Sequence, residues 1–229
     1  MREIVLDTET TGLDPADGHR IVEIGAVELH NHIPSGNTFH KYINPQRGMP
    51  AEAFAVHGLS DDFLKDKPLF ADITDEFLAF IEGATLVIHN AAFDMKFLNA
   101  ELSYVNKPAI LPEQAVDSLA LARKKHPMGP NSLDALCKRY GIDNTMRDIH
   151  GALLDSELLA QVYLELVGGR QKSLTLVELK TSRQTQDIKA GAVRPRPQQL
   201  LTRLTTSEIA EHDAFVETLA GDTLWSKLN

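Results

Sequence analysis

Four carboxylates and one histidine, spread along most of the chain, are the residues whose types and spacing could do chemistry. Asp7 and Glu9 lie in Asp7-Thr8-Glu9-Thr10-Thr11-Gly12. Asp94 ends His89-Asn90-Ala91-Ala92-Phe93-Asp94, and His150 and Asp155 bracket His150-Gly151-Ala152-Leu153-Leu154-Asp155. Each stretch is short; order and context make the pattern. Three or four carboxylates converging on divalent metal, with a histidine beside them, are the groups needed to hydrolyse a phosphodiester.

Spacing assigns each residue a place. Two apart on a strand end, Asp7 and Glu9 point to one face and can share a metal. Asp94 is expected in the first turn of a helix capped by Asn90, where the helix dipole favours an anion. On one regular helix, the gap from His150 to Asp155 would turn the two side chains apart by roughly 140°. His150 is therefore expected on the approach loop, with Gly151 as the break, and Asp155 in the early helical turns. Two Mg²⁺ or Mn²⁺ ions are expected on Asp7, Glu9, Asp94 and Asp155, with Asp7 bridging. Oxygen ligands favour these hard ions over zinc. The ions would activate a water and stabilise the leaving 3′-oxygen, while His150 takes the proton as general base. Gly12, where the strand opens into a turn, is expected to let backbone amides approach a substrate.

The elements that must position these groups are legible from periodicity. Strands are expected at Glu3 to Asp7, Arg20 to Leu29 and Asn37 to Asn44, as an antiparallel meander. Apolar residues at Phe70, Ile73, Phe77, Phe80 and Ile81 predict a helix. A buried strand is expected at Ala84 to Ile88, a helix from Asn90 to about Tyr104, and a short strand at Ala115-Val116. Further helices fit Ser118–His126, Ser132–Tyr140 and about Ala152–Val167. The pattern is α/β: a mixed five-stranded sheet flanked by helices.

The 229 residues, 43% hydrophobic, suffice for one well-cored domain plus an appendage. No apolar run of about 18 residues is present, so no membrane span is expected. The N-terminus enters Ile4-Val5-Leu6 without a basic region and cleavage site, so no signal peptide is expected. The single Cys137 suits a reducing, cytoplasmic setting, in an apolar helical pattern with Leu133, Leu136 and Tyr140. The net charge of −9 is unusual for a nucleic-acid protein. Bound cations would offset part of it at the site, and a strand released after each step needs little basic footprint.

These motifs resemble the DEDD exonucleases of the RNase H-like superfamily, in the branch that uses histidine. Residues 1 to about 168 look like the proofreading exonuclease subunits of bacterial replicative polymerases. Ile88-His89-Asn90-Ala91-Ala92-Phe93-Asp94, Asn131-Ser132-Leu133-Asp134-Ala135-Leu136 and His150 to Asp155 carry the likeness. The resemblance implies an RNase H-like fold, 3′→5′ polarity, and proofreading of mispaired primer ends. It also implies that Asp7, Glu9, Thr10, Glu52, Val56 and His57 meet the terminal nucleotide. The alternative is a free-standing nuclease of the same family acting on single-stranded DNA or RNA ends.

Domain 1–169 is expected to carry the site. Residues 170–203, with few large apolar side chains and Arg194-Pro195-Arg196-Pro197, read as a flexible linker. Within it, Gln171-Lys172-Ser173-Leu174-Thr175-Leu176 is similar to sliding-clamp-binding peptides, with Gln171, Leu174 and Leu176 as contacts; Leu176 replaces the usual aromatic. Segment 204–229, with Ser207 as helix cap and Trp225 as an apolar anchor, resembles a piece that docks on the polymerase catalytic subunit. The expected partners are thus a frayed 3′ end, polymerase and clamp, at the nucleoid, and the resemblance leaves room for a small accessory subunit. Elsewhere, Asp117 is expected to cap a helix and His89 to be structural. Arg123-Lys124-Lys125 reads as a solvated helix end. His19, His30, His32, His40, His126 and His212 read as surface or loop.

Overall fold

The computed structural model describes residues 1–145, 150–169 and 204–219. The chain divides into two compact units, Met1–Thr175 and Leu176–Asn229. The first is built on five strands: β1 (Arg2–Thr10), β2 (Ile21–His30), β3 (Ile33–Tyr42), β4 (Thr85–Ile88) and β5 (Ala115–Asp117). Their order is β3-β2-β1-β4-β5. The first three form an antiparallel meander, whereas β4 pairs parallel to β1 and β5 parallel to β4. The mixed five-stranded sheet flanked by helices expected from the sequence is the fold observed.

Helices cover both faces, which is why β1, β2 and β4 read as largely apolar runs rather than alternating ones. Between β3 and β4 come α1 (Ala51–His57), α2 (Asp61–Leu64) and α3 (Phe70–Ile81); α4 (Ala91–Tyr104) follows β4. Phe70 and Phe77 of α3 pack with Phe97 and Leu102 of α4 on the face bearing Ile4, Leu6, Leu86 and Ile88. After β5 come α5 (Ser118–Lys125), α6 (Leu133–Tyr140) and α7 (Ala152–Leu166). They cover the other face, where Leu136, Cys137, Leu159 and Val162 meet Val5, Val27 and Val87. Neighbours along one strand, such as Ile4 and Val5, thus belong to opposite cores.

Two boundaries differ from expectation. β3 begins at Ile33, four residues earlier than Asn37. Asn31 and His32 take left-handed φ values of 52° and 69°, so the chain reverses in two residues and Ile33 pairs with His30. Pro34 and Gly36 mask that start, and both are tolerated because β3 is an edge strand. In the second unit, α8 (Thr206–Thr218) is capped by Thr205, not Ser207. The Thr205 hydroxyl accepts from the Glu208 amide while the Glu208 carboxylate accepts from Thr205 N–H, a reciprocal box that Ser207 lacks. Gln171, Leu174, Leu176 and Trp225 lie outside the described residues.

Candidate active site

Because β1 and β4 run parallel, their carboxyl ends lie side by side, and the starts of α4 and α7 close over them. Asp7 and Glu9 come from β1, Asp94 from the first turn of α4 and Asp155 from the first turn of α7. All four, with His150, line one cavity of about 290 Å³. Glu9, His150 and Asp155 each bring a ligand atom within 4.8 Å of the others. Asp7 and Asp94 line the same cavity outside that tight trio.

Thr8, between the two β1 carboxylates, orients Asp94. Its backbone N–H and its hydroxyl both donate to Asp94 Oδ1, at 3.1 and 2.7 Å. Burial pushes the Asp94 carboxyl up to about 7, against the opposing pull of the Thr8 hydrogen bonds. A carboxylate so desolvated gains most from a cation beside it. The four carboxylates fit hard divalent ions by oxygen donor chemistry.

His150 sits off the helix. Gly151 is the N-cap of α7, and the Asp155 amide donates to the Gly151 carbonyl at 2.9 Å. The His150 N–H donates to the Val56 carbonyl at 3.2 Å, tying this approach segment to α1. Its half-exposed ring places Nδ1 3.3 Å from Asp155 Oδ2.

A second, wider cleft of about 520 Å³ adjoins the first, and Thr8, Glu9 and Phe93 line both. Of the residues expected to meet substrate, Glu9, Thr10, Glu52, Val56 and His57 line this cleft, whereas Asp7 lines only the smaller, carboxylate-lined cavity. His57 is buried, and burial lowers its pKa despite the opposing pull of Glu23 and the Thr10 backbone. The Leu59 amide donates to His57 Nδ1 at 3.1 Å, so in the neutral ring the proton is on Nε2. Nε2 is buried without a hydrogen-bond partner among the described residues. Leu13, 83% exposed, and the half-exposed Val56 are apolar at the same cleft.

Gly12 lines the wider cleft at the turn where close approach was expected, and the structure gives it a second role. A Cβ there would collide with the His19 ring, which lies against it and also lines the cleft. The Thr11 hydroxyl accepts from the Arg20 amide at 3.0 Å and lies 3.1 Å from His19 Nδ1, which fixes the ring. His19 is thus a loop residue, as expected, whose ring also lines the cleft. Asn90 occupies the α4 N-cap position, but with φ 71° and no side-chain cap bond. The Asp117 carboxylate instead accepts from the Asn90 amide and caps α5 through Leu119. His89 is structural, bridging Ser118 Oγ and the Asn131 carbonyl at 2.9 Å each. Lys125 reaches the Glu165 and Leu166 carbonyls, so it closes the end of α7 rather than simply facing solvent. Thr8 and His19 carry no sequence signal of their roles, because each depends on a contact across a turn or between elements.

The Exonuclease family profile matches residues 4–163. The chain is 49% identical to the DNA polymerase III subunit epsilon of Rickettsia felis over 224 residues, covering 96% of this chain and 97% of that one. It is 46% identical to the subunit of the same name from Escherichia coli strain K12 over 237 residues, covering 98% and 97%. Among solved structures it is similar to exonuclease X in complex with 5′-overhanging duplex DNA, with a TM-score of 0.57 and 26% identity over 72% of this chain and 90% of that one. The nuclease domain of 3′hExo, a DEDDh family member bound to rAMP, shares the fold with a TM-score of 0.63 and 18% identity, covering 72% and 91%.

Proposed function

The chain belongs to the Exonuclease family, with the DNA polymerase III epsilon subunits among its close relatives, and from that membership we propose that it is the 3′→5′ exonuclease that removes mispaired primer ends for a replicative DNA polymerase. The observation that supports it most is the junction of two cavities: a carboxylate-lined one and a wider cleft, sharing Glu9 and Phe93. A terminal nucleotide held in the cleft brings its scissile phosphate to the carboxylates.

Asp7, Glu9, Asp94 and Asp155 are the residues that would hold two Mg²⁺ or Mn²⁺ ions. Bound there, such ions supply an acidified water and charge stabilisation for the leaving 3′-oxygen. His150 takes the proton from the attacking water: with Nδ1 turned to Asp155, Nε2 is the accepting atom. Asp155 thus orients the base as well as binding metal. In the cleft, His57 donates from its buried Nε2 to an acceptor of the terminal nucleotide. Val56 and Leu13 offer apolar contact to its base, while Thr10 and Glu52 complete the polar wall.

Selectivity comes from fraying, because a mispaired end gives up less pairing energy to enter a single-strand cleft. With a net charge of −9 the protein holds DNA weakly, so a tether that raises local concentration is part of the function. Residues 170–203 are the linker, Gln171 to Leu176 the clamp peptide and 204–229 the polymerase-binding segment. Exposed Ile209 and Phe215 on α8, and Trp225 in the sequence beyond it, supply apolar anchors for that docking. The site of action is the cytoplasm, at the nucleoid.

The isolated protein is expected to shorten single-stranded DNA from its 3′ end with Mg²⁺ or Mn²⁺ and to stop on chelation; a gel of 5′-labelled oligonucleotide reads this. Preference for RNA would favour a free-standing nuclease, and inertness with every divalent ion would remove the enzymatic reading. Deleting residues 170–229 is expected to keep nuclease activity and abolish copurification with the polymerase catalytic subunit. Continued copurification would defeat the tether argument.

A further inference from the structure

Two of the metal-site carboxylates reach the cavity on different elements, Asp7 on β1 and Asp155 on α7, and one residue of the neighbouring strand touches both elements beside them. Gly25 of β2 pairs directly with Asp7 across the antiparallel ladder. On its other side it meets the first turn of α7. A Cβ at position 25 would come closer than 3.0 Å to backbone atoms of Ala152 and Leu153. The colliding atoms are main-chain, so no rotamer change relieves the overlap. The contact is also bonded: Ser156, fully buried and next to Asp155, donates from Oγ to the Gly25 carbonyl at 2.9 Å.

We propose that Gly25 is a positioning residue of the metal centre: its missing side chain, with the Ser156 bond, sets how deeply α7 seats on the sheet and therefore how far Asp155 stands from Asp7 and Glu9. The inference rests on the metal-centre reading above. Any side chain at 25 lifts the first turn of α7 and carries Asp155 outward with it. His150 moves too, because it precedes that turn by two residues. Most of the nucleotide cleft lies on β1, the turn after it and α1, none of which touches the Gly25 seat; the His150 N–H bond to the Val56 carbonyl links the two.

The far end of α7 supplies the control. There Tyr163 donates to the buried Glu3 carboxylate at 2.7 Å, and His32 Nδ1 approaches the other Glu3 oxygen at 2.8 Å. Tyr163 lies about 10 Å along the helix from Ser156. Removing its hydroxyl leaves a buried carboxylate short of a donor, which destabilises the fold without displacing the first turn of α7.

The experiment uses full-length protein and Mn²⁺ alone, titrated by calorimetry without DNA. Thermal midpoints in chelator and steady-state kinetics on a single-stranded oligonucleotide accompany it. Gly25→Ala is expected to fold, to bind Mn²⁺ about 10- to 100-fold more weakly, the range typical of lost supporting contacts, and to lose kcat with KM for the oligonucleotide unchanged. Ser156→Ala shifts Mn²⁺ affinity in the same direction by less. Tyr163→Phe lowers the thermal midpoint and leaves Mn²⁺ affinity at the wild-type value. Wild-type Mn²⁺ affinity in Gly25→Ala overturns the proposal, as does an equal loss in Tyr163→Phe, which would mark general loosening. Should Gly25→Ala not fold, unchanged Mn²⁺ affinity in Ser156→Ala overturns it. If Asp155→Asn alone binds Mn²⁺ as tightly as wild type, the metal-centre reading itself fails, and this inference with it.

Discussion

Replacing His150 with alanine lowers kcat by about 10²- to 10⁴-fold, the usual contribution of a positioned general base, while Mn²⁺ still binds. The structure separates the two effects. The four carboxylates come from β1, α4 and α7, and none depends on the imidazole for its place in the chain. What fixes the approach segment is the His150 backbone N–H on the Val56 carbonyl, which alanine retains. The ring itself is half exposed, so its loss opens no core cavity. Asp155 loses the nitrogen 3.3 Å away and keeps its hold on a cation. Calorimetry with Mn²⁺ and single-turnover cleavage of a short oligonucleotide measure the two quantities independently. Unchanged cleavage would take the base role from His150; loss of Mn²⁺ binding would make it a ligand instead.

How much was legible depends on whether the signal is local. The apolar spacing of Phe70 to Ile81 locates α3 to the residue, because helix period and core contact coincide there. The gap from His150 to Asp155 places the histidine off the helix by geometry alone. Left-handed turns were less visible. The Asn31-His32 reversal lacks the usual glycine, and Asn90 reads as a cap although its backbone is left-handed and its amide is served by Asp117. Contacts between distant segments left the faintest trace. Nothing in Asp7-Thr8-Glu9 tells that Thr8 holds Asp94, or in His19 that its ring rests on Gly12. Gly25 is the instructive case: a lone glycine inside an apolar strand signals close approach, but not which element approaches. Only the fold supplies Ala152, 127 positions later in the numbering.

Asp94→Asn makes the metal-free protein more stable at alkaline pH and removes the activity. Burial raises the folded-state pKa of Asp94 to about 7, against an ordinary value of 3.8. The favourable side of such a shift is fully present below about 4, where the carboxyl is neutral in both states. It is lost as pH rises through about 7, because the folded protein must then carry a desolvated charge. Asparagine is neutral throughout, and its Oδ1 accepts the two Thr8 hydrogen bonds that Asp94 Oδ1 accepts now. The gain over wild type is therefore absent near pH 4 and largest above pH 7, as melting curves in chelator at several pH values should show. Added Mn²⁺ reverses the ranking. Ligand held only by the folded state stabilises it by about 2.7 kcal/mol at a concentration 100 times Kd. Wild type gains this and the variant forfeits most of it, with cleavage down by at least about 10²-fold, beyond what loss of a supporting partner causes. A variant less stable than wild type in chelator at alkaline pH would show that the buried carboxylate carries no such cost. The site is thus held in a state that is unfavourable until a cation arrives, and the same burial that weakens the empty protein strengthens its grip on the ion.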